Sequence, residues 1–203
     1  MLIEQPARLL RLVYPRAMWR INRHARVVYL TFDDGPTPEA TPFILDTLHE
    51  YGIRATFFMV GENVLRHPEL YKAVRDAGHR IGNHTMHHLN NAKTNSVEYV
   101  RDVTEANELL HTNLVRPPHG WMRLHSYRRL TNRYRVVMWD VVTRDYSCLL
   151  SPRDVYENVK RFSRNGSIIT FHDSRKSINK LKSALPASIE WLRSHGYAFK
   201  MIP

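Results

Sequence analysis

Four of the eight glycines share one context, and that context restricts the fold of this 203-residue chain more than any other feature. Each stands just past a helix-like stretch and just before a short apolar run. Gly52 precedes Ala55–Val60, Gly78 precedes His79–Gly82, Gly166 precedes Ser167–Phe171 and Gly196 precedes Tyr197–Ile202. Glycine in that place supplies the left-handed backbone that ends a helix. A helix closed this way ahead of a strand, four times over, is a repeated αβ junction.

The other strand candidates are Val27–Phe32, Leu114–Arg116 and Tyr134–Val142. They are rich in β-branched and aromatic residues and apolar on both parities, as strands buried on two faces must be. Helix starts are legible too. Ser151-Pro152-Arg153-Asp154 has a capping serine, a first-turn proline and an acid three residues on, and Thr37-Pro38-Glu39 opens the first helix similarly. About seven strands, each mostly followed by a helix, predict an α/β domain with a parallel sheet, doubly wound or closed into a barrel. The length suits one domain, and 43% hydrophobic with 24% charged residues excludes disorder. The single cysteine, Cys148, excludes an intrachain disulfide and an all-thiolate metal site, so any metal falls to carboxylates and the 12 histidines.

The net charge of +11 is uneven. Residues 1–26, 121–135 and 158–182 hold 18 of the 30 Lys and Arg. That excess is a solvated surface or an attraction to something anionic, and charge alone does not choose between nucleic acid, phospholipid and glycan. No stretch reads as a secretory peptide, because Arg11 and Arg16 interrupt the apolar residues Leu9, Leu10, Leu12 and Val13. The default compartment is the cytoplasm. Residues 1–26 read as a basic extension before a catalytic domain over 27–203. Pro6–Ile21 is basic and partly amphipathic, suited to a membrane surface, but Pro6 and Pro15 argue against one long helix there. Packing on the domain is at least as good a reading.

In α/β folds of this kind the chemistry sits at the C-terminal ends of the strands. Asp33 and Asp34 follow the first strand there, and His84-Thr85-Met86-His87-His88 follows the third. Arg116 with Pro117-Pro118-His119-Gly120 follows the fourth, Asp145 and Tyr146 the fifth, and His172 and Asp173 the sixth. Singly each has a bland reading. Asp-Asp-Gly-Pro is good turn sequence, clustered histidines arise in any histidine-rich chain, and Arg116 and Asp145 make ordinary ion pairs. Jointly they describe a site. Histidines three or four apart share one helix face, so His84 with His87 or with His88 reaches a common ion. One Asp and two His leave a coordination position open for water, the mark of a catalytic zinc. The second carboxylate of the Asp pair then serves as base and His172 as acid, with Arg116 and Asp145 to hold and tune them.

These residues resemble the five motifs of the NodB-type polysaccharide deacetylases, carbohydrate esterase family 4. Thr31-Phe32-Asp33-Asp34-Gly35-Pro36 is similar to the first and His84–His88 to the second. Arg116–Gly120 is similar to the third, Trp139–Tyr146 to the fourth and Ile168–Asp173 to the fifth. The resemblance implies a distorted (β/α) barrel and metal-dependent deacetylation of an N-acetylhexosamine unit in a glycan such as peptidoglycan or a chitin-like polymer. By resemblance Asp34, His84 and His88 hold the metal, usually zinc. Asp33 is the base, His172 the acid, Arg116 positions Asp33 and Asp145 orients His172. Pro118, His119 and Tyr146 fall where the family lines the substrate.

Three positions depart from the common pattern: His119 where tyrosine is frequent, Tyr146 where tryptophan is frequent and Thr170 where leucine is usual. They change the walls around sugar and acyl group and leave the metal and proton-transfer groups intact. Two alternatives stand beside the leading reading. The basic extension and the lack of a signal peptide suggest a deacylase or deformylase of a lipid-linked amino sugar at the inner membrane face. The charge suggests an inactive scaffold that binds anionic glycan or nucleic acid. The intact ligand and acid–base set argues against the second, and no specific nucleic-acid partner is expected.

Overall fold

The computed structural model describes residues 4–6 and 8–203. Its centre is β1 (Val27–Asp33), buried along its whole length. β2 (Thr56–Met59) and β7 (Ile168–His172) flank it in parallel. β3 (Arg80–Asn83), β4 (Leu114–Val115) and β5 (Arg135–Val136) follow beyond β2, and β6 (Val141–Val142) lies beyond β7. The strand order is β5-β4-β3-β2-β1-β7-β6, all parallel. These seven strands form a curled half-barrel. An eighth, β8 (Ala198–Phe199), pairs with Val27 and Val28 at the opposite end of β1 from β2.

Three of the four junctions follow the glycine pattern. α2 (Thr41–Glu50), α4 (Pro68–Asp76) and α8 (Ile178–Ser194) close at Gly52, Gly78 and Gly196, all at positive φ. α7 (Pro152–Phe162) departs from the expectation, ending at Ser163 in extended backbone, and Gly166, also at positive φ, stands in the turn before β7. Ser151 and Asp154 form the expected capping box on α7. A short helix, α3 (Gly61–Arg66), precedes α4, while α5 (Ser96–Leu110) and α6 (Leu124–Leu130) cover β3 to β5. Phe57 and Phe171 stack on either side of Phe32, with ring centroids 5.0 and 5.8 Å away, and anchor the largest core cluster.

Three further local expectations need correction. The first helix starts at Thr41, not Thr37, because Thr41 Oγ1 accepts the Thr37 N–H and closes a turn ahead of it. Tyr134–Val142 is two short strands, not one. Arg116 Nη2 donates to the Met138 carbonyl at 2.9 Å, and buried Asp140 is drawn to Arg164 and Ser167, so Val137–Asp140 bends across the gap between the sheet edges. The segment carrying His84, His87 and His88 is an irregular loop, with Thr85 at φ 69° and His88 at φ 54°.

The N-terminal segment packs into that gap. α1 (Arg8–Val13) stops ahead of Pro15, and Tyr14, Ala17 and Trp19 enter a core cluster with Tyr99, Met122 and Tyr127. Met18 bridges to Val137 and Arg20 to Ser167. Residues 4–26 therefore share the body of the domain.

Candidate active site

β1 and β7 are in register with Asp33 opposite His172, so a carboxylate and an imidazole emerge side by side. Arg116, on the loop after β4, is 1% exposed and lies beneath Asp33. Its Nη1 donates to Asp33 Oδ1 at 2.7 Å and to Thr31 Oγ1 at 2.7 Å. The guanidinium packs on the Phe58 ring, 4.2 Å from its centroid. Burial pushes the guanidinium pKa down, and Asp33 opposes that shift. A buried arginine must be paired, and its fork here leaves Asp33 one orientation.

Asp34 points the other way, with its backbone at φ 78° and its carbonyl accepting from Asn63 Nδ2 at 2.8 Å. Its Oδ1 lies 3.2 Å from His88 Nε2 and 3.5 Å from His84 Nε2. The pair left open by spacing is thus His84 and His88. His87 turns outward to α5, its Nδ1 2.6 Å from Asp102 Oδ1. The donor atoms of Asp34, His84 and His88 lie within 4.8 Å of one another. His84 Nδ1 is 2.8 Å from the Arg116 carbonyl oxygen, a contact that places the ring proton there and turns the Nε2 lone pair toward Asp34. Burial pushes the Asp34 carboxyl up, but the neighbouring His84 and His88 and the charge of His172 hold it well below the usual carboxylate range. One carboxylate and two imidazole nitrogens, with the remaining side unfilled by protein donors, suit a divalent cation of catalytic type.

Across the site His172 Nδ1 lies 2.7 Å from Asp145 Oδ1, and the His172 backbone N–H donates to Asp145 Oδ2 at 2.8 Å. Burial pushes this imidazole down, yet Asp145, with Asp34 and Asp33, raises its pKa to about 9. Tyr146 meets the His172 ring edge-on at 4.6 Å, and His119 meets His88 edge-on at 4.9 Å. Pro118 is buried in the 3₁₀ turn that presents His119 at φ 61°. The ten residues assigned by resemblance gather at this mouth, and His87, the alternative ligand, does not.

A family model for polysaccharide deacetylase matches residues 20–135. The chain belongs to the polysaccharide deacetylase family. This deacetylase is 31% identical over 195 residues to a peptidoglycan-N-acetylglucosamine deacetylase of Bacillus cereus, covering 89% of this chain and 88% of that one. It is 33% identical over 196 residues to a chitooligosaccharide deacetylase of Rhizobium leguminosarum bv. trifolii, covering 88% and 91%. A crystal structure of a peptidoglycan N-acetylglucosamine deacetylase in complex with 4-naphthalen-1-yl-N-oxidanyl-benzamide matches at TM-score 0.90 and 31% identity, covering 98% and 95%. These named relatives are hydrolases of carbon–nitrogen bonds outside peptides, and the family is metal-dependent.

Two acids support the deacetylase site, Asp102 outside every motif and Asp173 at the end of the fifth. Asp102 Oδ2 accepts the Met86 and His87 N–H groups, at 2.8 and 3.2 Å, and so fixes the loop that carries both histidine ligands. The only signal is its place on the buried face of α5, among Tyr99, Val103 and Ala106, where an acid needs a partner. Asp173 accepts from Thr37 Oγ1 at 2.9 Å and Thr41 Oγ1 at 2.6 Å, beneath the Asp34–Gly35 turn. Burial raises its carboxyl pKa to about 7.

Proposed function

We propose that this deacetylase removes acetyl from an N-acetylhexosamine unit of a glycan, using zinc held by Asp34, His84 and His88. One observation carries the reading. The Asp34–His84–His88 cluster is flanked by two proton-transfer groups, Asp33 held by Arg116 and His172 held by Asp145. The bound cation supplies a Lewis acid for the amide carbonyl and makes water acidic enough to attack at neutral pH.

The residues of the chain do the rest. Asp33, oriented by Arg116, takes the proton from the attacking water. His172, kept protonated by Asp145, gives its proton to the amine nitrogen as the carbon–nitrogen bond breaks. Asp145 accepts from both the ring and the backbone of His172, which fixes the face the ring presents. His119 and Tyr146 form walls against sugar and acyl group, and Pro118 stiffens the turn under His119. The relatives' substrates, peptidoglycan and chito-oligosaccharide, support an N-acetylglucosamine polymer as the class.

The test is acetate release across peptidoglycan fragments, chito-oligosaccharides and lipid-linked amino sugars. Release is expected to stop with a chelator and return with zinc. Asp33→Asn is expected to abolish turnover with zinc still bound, and turnover retained in that variant would remove Asp33 as base.

A further inference from the structure

Beside the mouth lies a surface of exposed aliphatic and cationic side chains. Its first part is α1. Leu9 and Leu12 are 70% and 75% exposed and Val13 is exposed beside them, while Leu10 and Arg11 turn inward to the core and to Asp140. Its second part follows His119, where Trp121 and Leu124 are exposed. The two parts adjoin. The Met122 N–H donates to the Tyr14 hydroxyl at 2.9 Å, and the Arg16 N–H donates to the Tyr127 hydroxyl at 2.7 Å. Val13 and Trp121 sit one residue from that first contact on either side.

Around them Arg16, Arg123, Arg128, Arg129 and Arg133 are exposed. No Asp or Glu occurs between Glu4 and Asp33, or between Glu108 and Asp140, so no acid of these segments neutralises the face. Most exposed large apolar residues on soluble domains are scattered singly. Here five of the nine among the described residues gather on one cationic face.

The combination identifies the partner. Leucine and valine carry no group that recognises a sugar and no flat face for one to stack on. They gain only by leaving water. Arginines beside them attract phosphate, and a tryptophan at the margin suits a lipid–water boundary. We propose that this face docks on an anionic phospholipid bilayer and brings the mouth, two residues from Trp121 at His119, to the membrane surface. The docking is separate from the catalytic reading, and the two are tested by different readouts.

Sedimentation with phosphatidylcholine vesicles, with and without phosphatidylglycerol, tests it. The protein is expected to pellet with the anionic vesicles and to be released by salt. Leu9→Ser with Leu12→Ser is expected to weaken vesicle binding at least about tenfold. Arg128→Gln with Arg129→Gln is expected to weaken it roughly fivefold per arginine. Both double variants are expected to keep the wild-type circular dichroism and acetate release from a soluble chito-oligosaccharide. No pelleting with anionic vesicles, or pelleting unmoved by the leucine variant, overturns the proposal. So does retention on an anionic polysaccharide resin, weakened by the arginine variant alone, in the absence of vesicle binding.

Discussion

His172 shows how one contact sets the working range of the site. Burial opposes the imidazolium, and Asp145 at 2.7 Å outweighs it, with Asp34 and Asp33 adding to the rise. A raised pKa keeps the acid form present below it, so activity is expected to fall as pH climbs through it. The value is about 9 from protein charges, and a cation at Asp34 cancels part of the rise, so the alkaline limb is expected at or below that pH. Asp145→Asn removes the largest raising influence. The limb is then expected to shift toward neutral pH and kcat above neutrality to fall by roughly 10²- to 10⁴-fold. A pH–rate profile with an unmoved limb would break the assignment of His172 as acid. Asp102 acts one step further back. Asp102→Ala leaves the Met86 and His87 N–H groups without their acceptor, in a loop that already holds Thr85 and His88 at positive φ. Zinc affinity, read by competition with a chromophoric chelator, is expected to drop about 10- to 100-fold. Unchanged affinity would place the support of that loop elsewhere. The groups that touch substrate and metal were legible because each is a polar residue at the end of an apolar strand. Their geometry was not. Helical spacing suggested how two histidines share an ion, but they converge through left-handed backbone at Thr85 and His88. That bend depends on Asp102, 14 residues beyond His88 in sequence.

At the scale of elements, the glycine junctions separate two costs that are usually mixed. Gly52 has φ +63° and open space where a Cβ would stand. Gly166 has φ +77°, and its Cβ would collide with the backbone carbonyl of Ile21, which no side-chain movement relieves. Gly52→Ala is expected to cost about 1–2 kcal/mol, the conformational penalty alone. Gly166→Ala is expected to cost clearly more, because the N-terminal segment must shift away from the β7 entry. Urea unfolding of the two variants measures the difference, and equal losses would mean that Ile21 yields freely. The same contrast explains how far the fold could be read in advance. A left-handed cap is a local demand, so the junctions at Gly52, Gly78 and Gly196 stood out in the sequence, whereas Gly166 serves the turn into β7 and not the end of α7, which closes at Ser163 in extended backbone. The break inside Tyr134–Val142 is a long-range demand. It arises where the Arg116 guanidinium, on a different strand end, takes the Met138 carbonyl, and where Asp140 turns to Arg164. Nothing within those nine residues announces either partner.

The whole molecule is closed by a single buried acid. Asp140 sits where the chain crosses from β5 to β6. It accepts from Arg164 Nε at 2.8 Å, Ser167 Oγ at 2.8 Å and Arg11 Nη2 at 2.7 Å, with Arg20 Nε 3.6 Å away. Arg11 and Arg20 belong to the N-terminal segment, Arg164 to the turn after α7 and Asp140 to the gap. One carboxylate therefore ties three distant stretches together and holds Tyr14 and Trp19 over the opening. The basic excess of residues 1–26 has a structural use here as well as a surface one. Burial pushes the Asp140 carboxyl up, but hydrogen bonds from Arg164, Ser167 and Arg11 outweigh it and leave its pKa below the ordinary value. The sign of the pH dependence follows. A carboxyl with a lowered folded pKa contributes stability above its unfolded pKa and loses it as pH falls through the folded one. Asp140→Asn keeps the shape, removes the charge and leaves the half-buried Arg11 and Arg20 and the exposed Arg164 without their carboxylate, at a cost of about 1–3 kcal/mol. Denaturant unfolding across pH is expected to show that gap in full at neutral pH. The gap is expected to begin closing below pH ~4 and to close fully only below the lowered folded pKa, where the wild-type carboxyl protonates and comes to resemble the amide. A deficit that persists unchanged into acid would mean that the Asn side chain fails for shape, and that the charge of Asp140 is not what fastens the N-terminal segment to the barrel.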